Sequence, residues 1–196
     1  MIYGIGRNYA DHAKELGHML SKPASDSPIV FFKPDSSIVL SGETVVLPPF
    51  SQNVHYEGEL GLKLDSDLEV FQICIANDLT ARDKQKQAQE AKGPWALAKG
   101  FKQSCGIGNW VLSKGIDLSK LEIRVHLNGK LVQRGFTKDM LFDVPNILKF
   151  LVNHFPMQPG DIILTGTPAG VGPVVAGDEL KAEIVGISHG LWRFAT

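Results

Sequence analysis

Apolar positions recur along the chain in short blocks. Leu121, Ile123, Val125 and Leu127 alternate with polar residues, the period-two signature of a half-buried strand, and Asn128-Gly129 follows at once. Asn-Gly is the strongest two-residue hairpin signal, so a return strand is predicted from Lys130. Alternation resumes at Leu180, Ala182 and Ile184, and Val45-Val46-Leu47 stands before the Pro48-Pro49 break. Other blocks are apolar without alternation. Ile29 to Phe32, closed by Lys33-Pro34, reads as a buried strand, and residues 71–76 (FQICIA) read as another, delivering Asn77-Asp78 at its end. A further strand, residues 161–165, follows Pro159-Gly160 and runs into the Gly-rich turn from Gly166 to Gly172.

Helical spacing is rarer. Val144, Ile147, Leu148, Leu151 and Val152 form one apolar stripe, with Asp143 placed to cap the helix and Pro145 suited to its first turn. Residues 8–16 (NYADHAKEL) predict a short helix stopped by Gly17, and the polar stretch 83–92 predicts another, stopped by Gly93-Pro94. The Ser- and Pro-rich residues 21–28 predict a mobile loop. Many short strands, three short helices and no regular βαβ alternation predict a β-dominated α+β fold.

Composition narrows the class. A chain of 196 residues is expected to form one domain, here 1–196. With 43% hydrophobic residues, 21% charged and a net charge of −1, it has no basic excess to follow a phosphate backbone, so nucleic acid is not an expected partner. No apolar run reaches the ~20 residues that span a bilayer, and no signal-peptide pattern opens the chain. Cys74 and Cys105 lack metal-type spacing and read as buried free thiols, which predicts a cytoplasmic protein.

Candidate chemistry begins at residues 55–60 (HYEGEL). If this is a strand, Glu57 and Glu59 point to one face, and two carboxylates ~4 Å apart repel by roughly 1 kcal/mol in water and ~4 kcal/mol at an effective dielectric near 20. Exposed acids on a strand are the plain alternative. Asp78, at the end of an apolar strand, is harder to explain as surface. If that strand lies beside the first, three carboxylates converge and suit Mg²⁺ or Mn²⁺ with water in the remaining positions. His12 and Glu15 share a helix face, either as a surface pair or as an imidazole base oriented by a carboxylate. The other histidines (His18, His55, His126, His154, His189) read as structural or exposed. Arg82 and Gln85 follow Asp78 closely, and Lys99 is a lone cation between small and aromatic residues; each alone reads as a surface group. The turn from Gly166 lacks the Lys-Ser/Thr of a phosphate loop, so it is read as offering N–H groups and the Thr167 hydroxyl to a carboxylate.

The segments GRNYADHAKELG, HYEGELG, NDLTARDKQ, KGPWALAKGF, QRGFTKDM and PGDIILTGTPAGVGPV, followed by GDEL, occur in that order. Together they resemble the fumarylacetoacetate hydrolase family, specifically its small single-domain branch of acylpyruvases and oxaloacetate decarboxylases. The resemblance implies a layered, mostly β fold, usually dimeric. It implies Glu57, Glu59 and Asp78 as ligands of Mg²⁺ or Mn²⁺, and His12 with Glu15 as a water-activating pair on a lid within residues 1–28. Gln85 and Lys99 would lie over the reacting carbonyl, with Arg7, Arg82 and Thr167 near the substrate. The implied substrate is a small 2-oxo acid carrying a second carbonyl or carboxylate β to the keto group. The expected reaction is hydrolysis of an acylpyruvate to pyruvate and a carboxylic acid. Oxaloacetate decarboxylation or keto–enol tautomerisation at the same site is the alternative, and a non-catalytic metal-binding relative is the alternative of another class. Two departures stand out: the chain is shorter than its relatives around Lys63 to Val70, and the strand before Gly6 starts abruptly at Met1.

Overall fold

A computed structural model of the chain describes residues 1–15 and 27–196, and those residues form three sheets and four α-helices. The largest sheet runs β2 (Ile29–Lys33), β1 (Ile2–Gly6), β13 (Ile162–Leu164), β6 (Gly58–Leu64), β7 (Val70–Asp78), β9 (Cys105–Ile107) and β3 (Ile38–Leu40), with β10 (Val111–Leu112) also paired to β7. The second runs β12 (Lys130–Phe136), β11 (Glu122–Leu127), β15 (Glu179–Ile184), β16 (Ser188–Ala195) and β4 (Thr44–Val46). A small third sheet joins β14 (Gly172–Pro173), β5 (Val54–Tyr56) and β8 (Thr80–Ala81). The helices are α1 (Ala10–Glu15), α2 (Arg82–Glu90), α3 (Ala96–Lys99) and α4 (Val144–His154). The fold is thus β-dominated, as its alternating pattern predicts.

Local chemistry accounts for several elements. Asn128 and Gly129 both take positive φ (50° and 79°), as a tight turn between β11 and β12 requires. Asp143 caps α4 by accepting from the Asn146 N–H at 2.9 Å, and Val144, Ile147 and Leu151 are its buried face. The short stretch around Lys63 to Val70 closes as a hairpin. Asp65 Oδ1 accepts from the Asp67 and Glu69 N–H groups at 2.9 and 3.0 Å, joining β6 directly to β7.

The core lies between the two large sheets. Trp192 of β16 is fully buried and packs on β9, where a Cβ on Gly106 would stand 2.8 Å from the indole; only glycine lets the sheets approach this closely.

Three expectations need correction. The Ile29–Phe32 block is not buried throughout: β2 is an edge strand, with Phe31 and Lys33 buried while Ile29 and Phe32 are exposed. One face of an edge strand is covered, so an unbroken apolar run does not imply burial on both sides. Four α-helices are present among the described residues where three were expected, because α3 is a single turn whose four residues show no readable period. The helix predicted for residues 8–16 begins at Ala10; its stop at Gly17 and most of the 21–28 loop fall outside the described residues.

Candidate active site and metal centre

The stretch from His55 to Leu60 is not one strand. β5 ends at Tyr56 and β6 begins at Gly58, in different sheets, and Glu57 is the link between them. Simple alternation therefore does not place Glu57 beside Glu59. The junction does: Asn77 Oδ1 accepts the Glu57 N–H at 3.0 Å, and the Glu57 carbonyl accepts the Asp78 N–H at 2.8 Å. Because β7 pairs with β6, Asp78 arrives at the same place. All three carboxylates are buried, and one oxygen from each lies within 4.8 Å of the others.

Cations surround two of the three acids. Lys99 Nζ donates to Glu57 Oε2 at 2.8 Å, Asp78 Oδ2 at 2.5 Å and Thr80 Oγ1 at 2.6 Å. Arg82 pairs with Glu57 Oε1 and also donates to Gln85 Oε1 at 2.6 Å. Lys33 Nζ stands 2.7 Å from Asp78 Oδ1 and donates to the carbonyls of Ser104 at 2.8 Å, Leu79 at 3.2 Å and Lys99. Lys99 and Arg82 hold the Glu57 carboxyl far below the ordinary range in spite of its burial.

Glu59 differs. Among the described residues no cation pairs with it, and it accepts the Gly166 N–H at 2.7 Å. Burial first, then Asp78 and Glu57 nearby, push its carboxyl well above the ordinary range. A divalent cation in contact with all three carboxylates would supply what Glu59 lacks. Three oxygen donors suit Mg²⁺ or Mn²⁺ rather than a soft metal, so the residues present fit such an ion.

His12 is buried on α1, with Nδ1 3.4 Å from Glu15 Oε2. Burial is the main reason its imidazole is held below the ordinary value, which keeps it neutral and able to accept a proton. Glu15 also accepts the Gly170 N–H at 3.2 Å, tying the helix to the Gly-rich turn. Arg7 precedes this helix in a left-handed conformation, φ 56°.

Of the residues singled out from sequence, all but Glu15 line one cavity of about 20 Å³, together with Phe31 and Trp95. That volume suits a water-sized group. A far larger cavity of about 780 Å³ lies beside α4 and includes none of them. Convergent chemistry, not size, identifies the site. Thr167 plays a more constrained part than expected: its hydroxyl donates to the Gly58 carbonyl at 2.9 Å and accepts from Gln133 Nε2 at 2.9 Å.

Three supporting residues escaped the sequence reading. Lys33 is fully buried beneath Asp78. Gln133 accepts the Gly58 N–H at 3.0 Å, fixing the backbone between the two glutamates. Asn8 bridges Thr165 O and Phe142 O at 2.8 and 2.9 Å while accepting the Phe142 N–H at 2.7 Å, which seats the start of α1. Asn8 and Gln133 lie within the quoted segments. Lys33 has only its place two residues after Phe31 on one strand face to betray it.

Known proteins resemble the chain over most of its length. Residues 1–191 match the profile of the family described as fumarylacetoacetate (FAA) hydrolase, C-terminal. The chain is 37% identical over 198 residues to the mitochondrial oxaloacetate decarboxylase of Dictyostelium discoideum, covering 95% of this chain and 89% of that protein. It is 37% identical over 199 residues to the mitochondrial oxaloacetate tautomerase of Homo sapiens, covering 95% and 87%. Among solved structures, the fumarylpyruvate hydrolase of Pseudomonas aeruginosa in complex with Mn²⁺ and pyruvate superposes with a TM-score of 0.91 at 29% identity, over 99% of this chain and 88% of that one. These relatives are enzymes, and the chain belongs to the fumarylacetoacetate hydrolase family.

Proposed function

We propose that the chain is a divalent-metal-dependent enzyme that hydrolyses the C3–C4 bond of acylpyruvates, 2,4-dioxo acids such as acetylpyruvate or fumarylpyruvate, to pyruvate and a carboxylic acid. The observation that carries this reading is a buried His12, paired with Glu15, opening on the same cavity as Glu57, Glu59 and Asp78. Glu57, Glu59 and Asp78 would hold Mg²⁺ or Mn²⁺, which when bound supplies Lewis-acid polarisation of the 2-oxo group. With Nδ1 turned to Glu15, His12 takes the proton of a water at Nε2 as the water oxygen attacks C4. Gln85, whose Oε1 is taken by Arg82, donates through Nε2 to the oxyanion that develops there, and Lys99, its three N–H groups already engaged, contributes its positive charge. The C3–C4 electron pair leaves on the pyruvate fragment and is protonated at C3. Arg7, Arg82 and Thr167 are assigned to binding the substrate around this centre.

A second reading is supported by the relatives: oxaloacetate decarboxylation or keto–enol tautomerisation. Neither reaction needs an attacking water. The free, buried Cys74 and Cys105 fit a reducing compartment, for which we propose the cytoplasm, and the family resemblance leads us to propose a homodimer. Pyruvate release from acetylpyruvate, fumarylpyruvate and oxaloacetate, with and without Mn²⁺ or Mg²⁺, tests the proposal, alongside spectroscopic tautomerisation of oxaloacetate. Turnover of oxaloacetate alone would replace the hydrolase reading with the second one.

A further inference from the structure

Along β2, the residues Ile29, Phe31 and Lys33 share one face, and their chemistry changes step by step. Lys33 lies under Asp78. The Phe31 ring lies 4.7 Å from Lys99 Nζ. Ile29 stands at the open end of the strand, opposite Gly6. Trp95, preceding α3, completes a wall with Phe31, the ring centroids 6.2 Å apart. Both rings lie against the glycine face of β1. A Cβ on Gly4 would stand 2.2 Å from Phe31 Cζ, and one on Gly6 would stand 3.2 Å from Trp95 Cζ3.

Phe31 and Trp95 line two cavities. On one side is the small carboxylate-lined cavity described above. On the other is a cavity of about 400 Å³ formed by residues 29–32 and 93–96, none of which carries a charge. The two cavities thus share this aromatic wall. A substrate whose 2-oxo acid end lies at the carboxylates therefore has an apolar space within reach of its other end.

We propose that the apolar cavity behind Phe31 and Trp95 takes the acyl group of the substrate, so that the enzyme selects 2-oxo acids with an uncharged aliphatic tail over those ending in a second carboxylate. This rests on the 2-oxo acid reading above and narrows it. Each methylene placed in the cavity leaves water, and at about 0.8 kcal/mol per methylene the gain is roughly fourfold in affinity. A terminal carboxylate in the same place would lose hydration with no cationic partner among the lining residues.

The test is binding rather than turnover. Calorimetry with Mn²⁺ present would compare pyruvate, 2-oxohexanoate, 2-oxooctanoate and the dicarboxylate 2-oxoadipate. Affinity should climb from pyruvate to 2-oxooctanoate, with 2-oxoadipate at least tenfold weaker than 2-oxohexanoate. Ile29→Lys, an exposed position away from the carboxylates, should leave pyruvate binding unchanged, weaken 2-oxooctanoate and tighten 2-oxoadipate. A flat series, or 2-oxoadipate binding as tightly as 2-oxohexanoate, would overturn the pocket assignment whatever the turnover assays give. Graded binding without acylpyruvate hydrolysis would leave the pocket standing and remove only the proposed reaction. No binding of pyruvate would remove both.

Discussion

The ammonium of Lys33 stands 2.7 Å from Asp78 Oδ1, and both side chains are sealed from solvent. Lys99 reaches the other oxygen of the same carboxylate, so Asp78 is clamped between two lysines from different elements. Removing one partner of a buried ion pair leaves the other uncompensated, at a cost of about 3–5 kcal/mol. Lys33→Met should lose stability on that scale in urea unfolding. Parent-like stability would show that Lys99 suffices to hold Asp78.

Glu59 is the acid of the cluster with no cation partner among the described residues, so its response to metal should differ from its role in folding. Glu59→Gln removes a carboxyl crowded by Asp78 and Glu57, and the metal-free variant should be no less stable than the parent. The parent should gain about 2.7 kcal/mol at Mn²⁺ a hundredfold above its Kd, and the variant much less. Thermal melts with and without Mn²⁺ measure both. An equal Mn²⁺ response in the two proteins would place the ion elsewhere.

Loss of the base should separate the two reactions. His12→Ala is expected to slow acylpyruvate hydrolysis by about 10²–10⁴ while oxaloacetate decarboxylation persists. The parent's pH profile should agree. Burial holds the His12 imidazole below its ordinary value, so the neutral base survives to lower pH, and kcat/KM should fall only below about pH 6.5. An acid limb above that pH would argue for a different base.

Asn8 makes three hydrogen bonds that seat α1 against residues on either side of α4. Asn8→Ala should cost about 2 kcal/mol of stability. It should also lower kcat for acylpyruvate hydrolysis by displacing His12. Reduced stability with unchanged kcat would make Asn8 a purely structural brace.

Burial raises both thiols, Cys105 up to about 12 and Cys74 well above its ordinary value. Since the thiolate is the reacting form, neither should react with an aromatic disulfide reagent at pH 8 until denaturant is added. Rapid labelling of the folded protein would show that the core around β7 and β9 opens readily.

Two expectations that rested on backbone preferences of neighbouring residues carried over to the fold. Asp143 capping α4 and Asn128-Gly129 turning β11 into β12 depend on backbone preferences within a few residues. The segments carrying His12, Glu57, Asp78, Lys99 and Thr167 draw attention through their ordered resemblance to the fumarylacetoacetate hydrolase family; read alone, Lys99 looks like a surface group. Lys33 draws none: its partner Asp78 comes from a distant strand, and no local pattern marks a lysine that will be buried.

The sequence by itself determined the β-rich class, the principal turns and helix caps, and the residues able to supply the chemistry, since period and side-chain type act locally. Only the tertiary structure decided how those residues meet. It made Glu57 a link between two sheets and β2 an edge strand, and it left Glu59 without the cations given to Glu57 and Asp78. It also set Phe31 and Trp95 between a charged cavity and an apolar one. Those outcomes depend on which strands lie side by side and on how burial changes electrostatics, and both are properties of the packed chain.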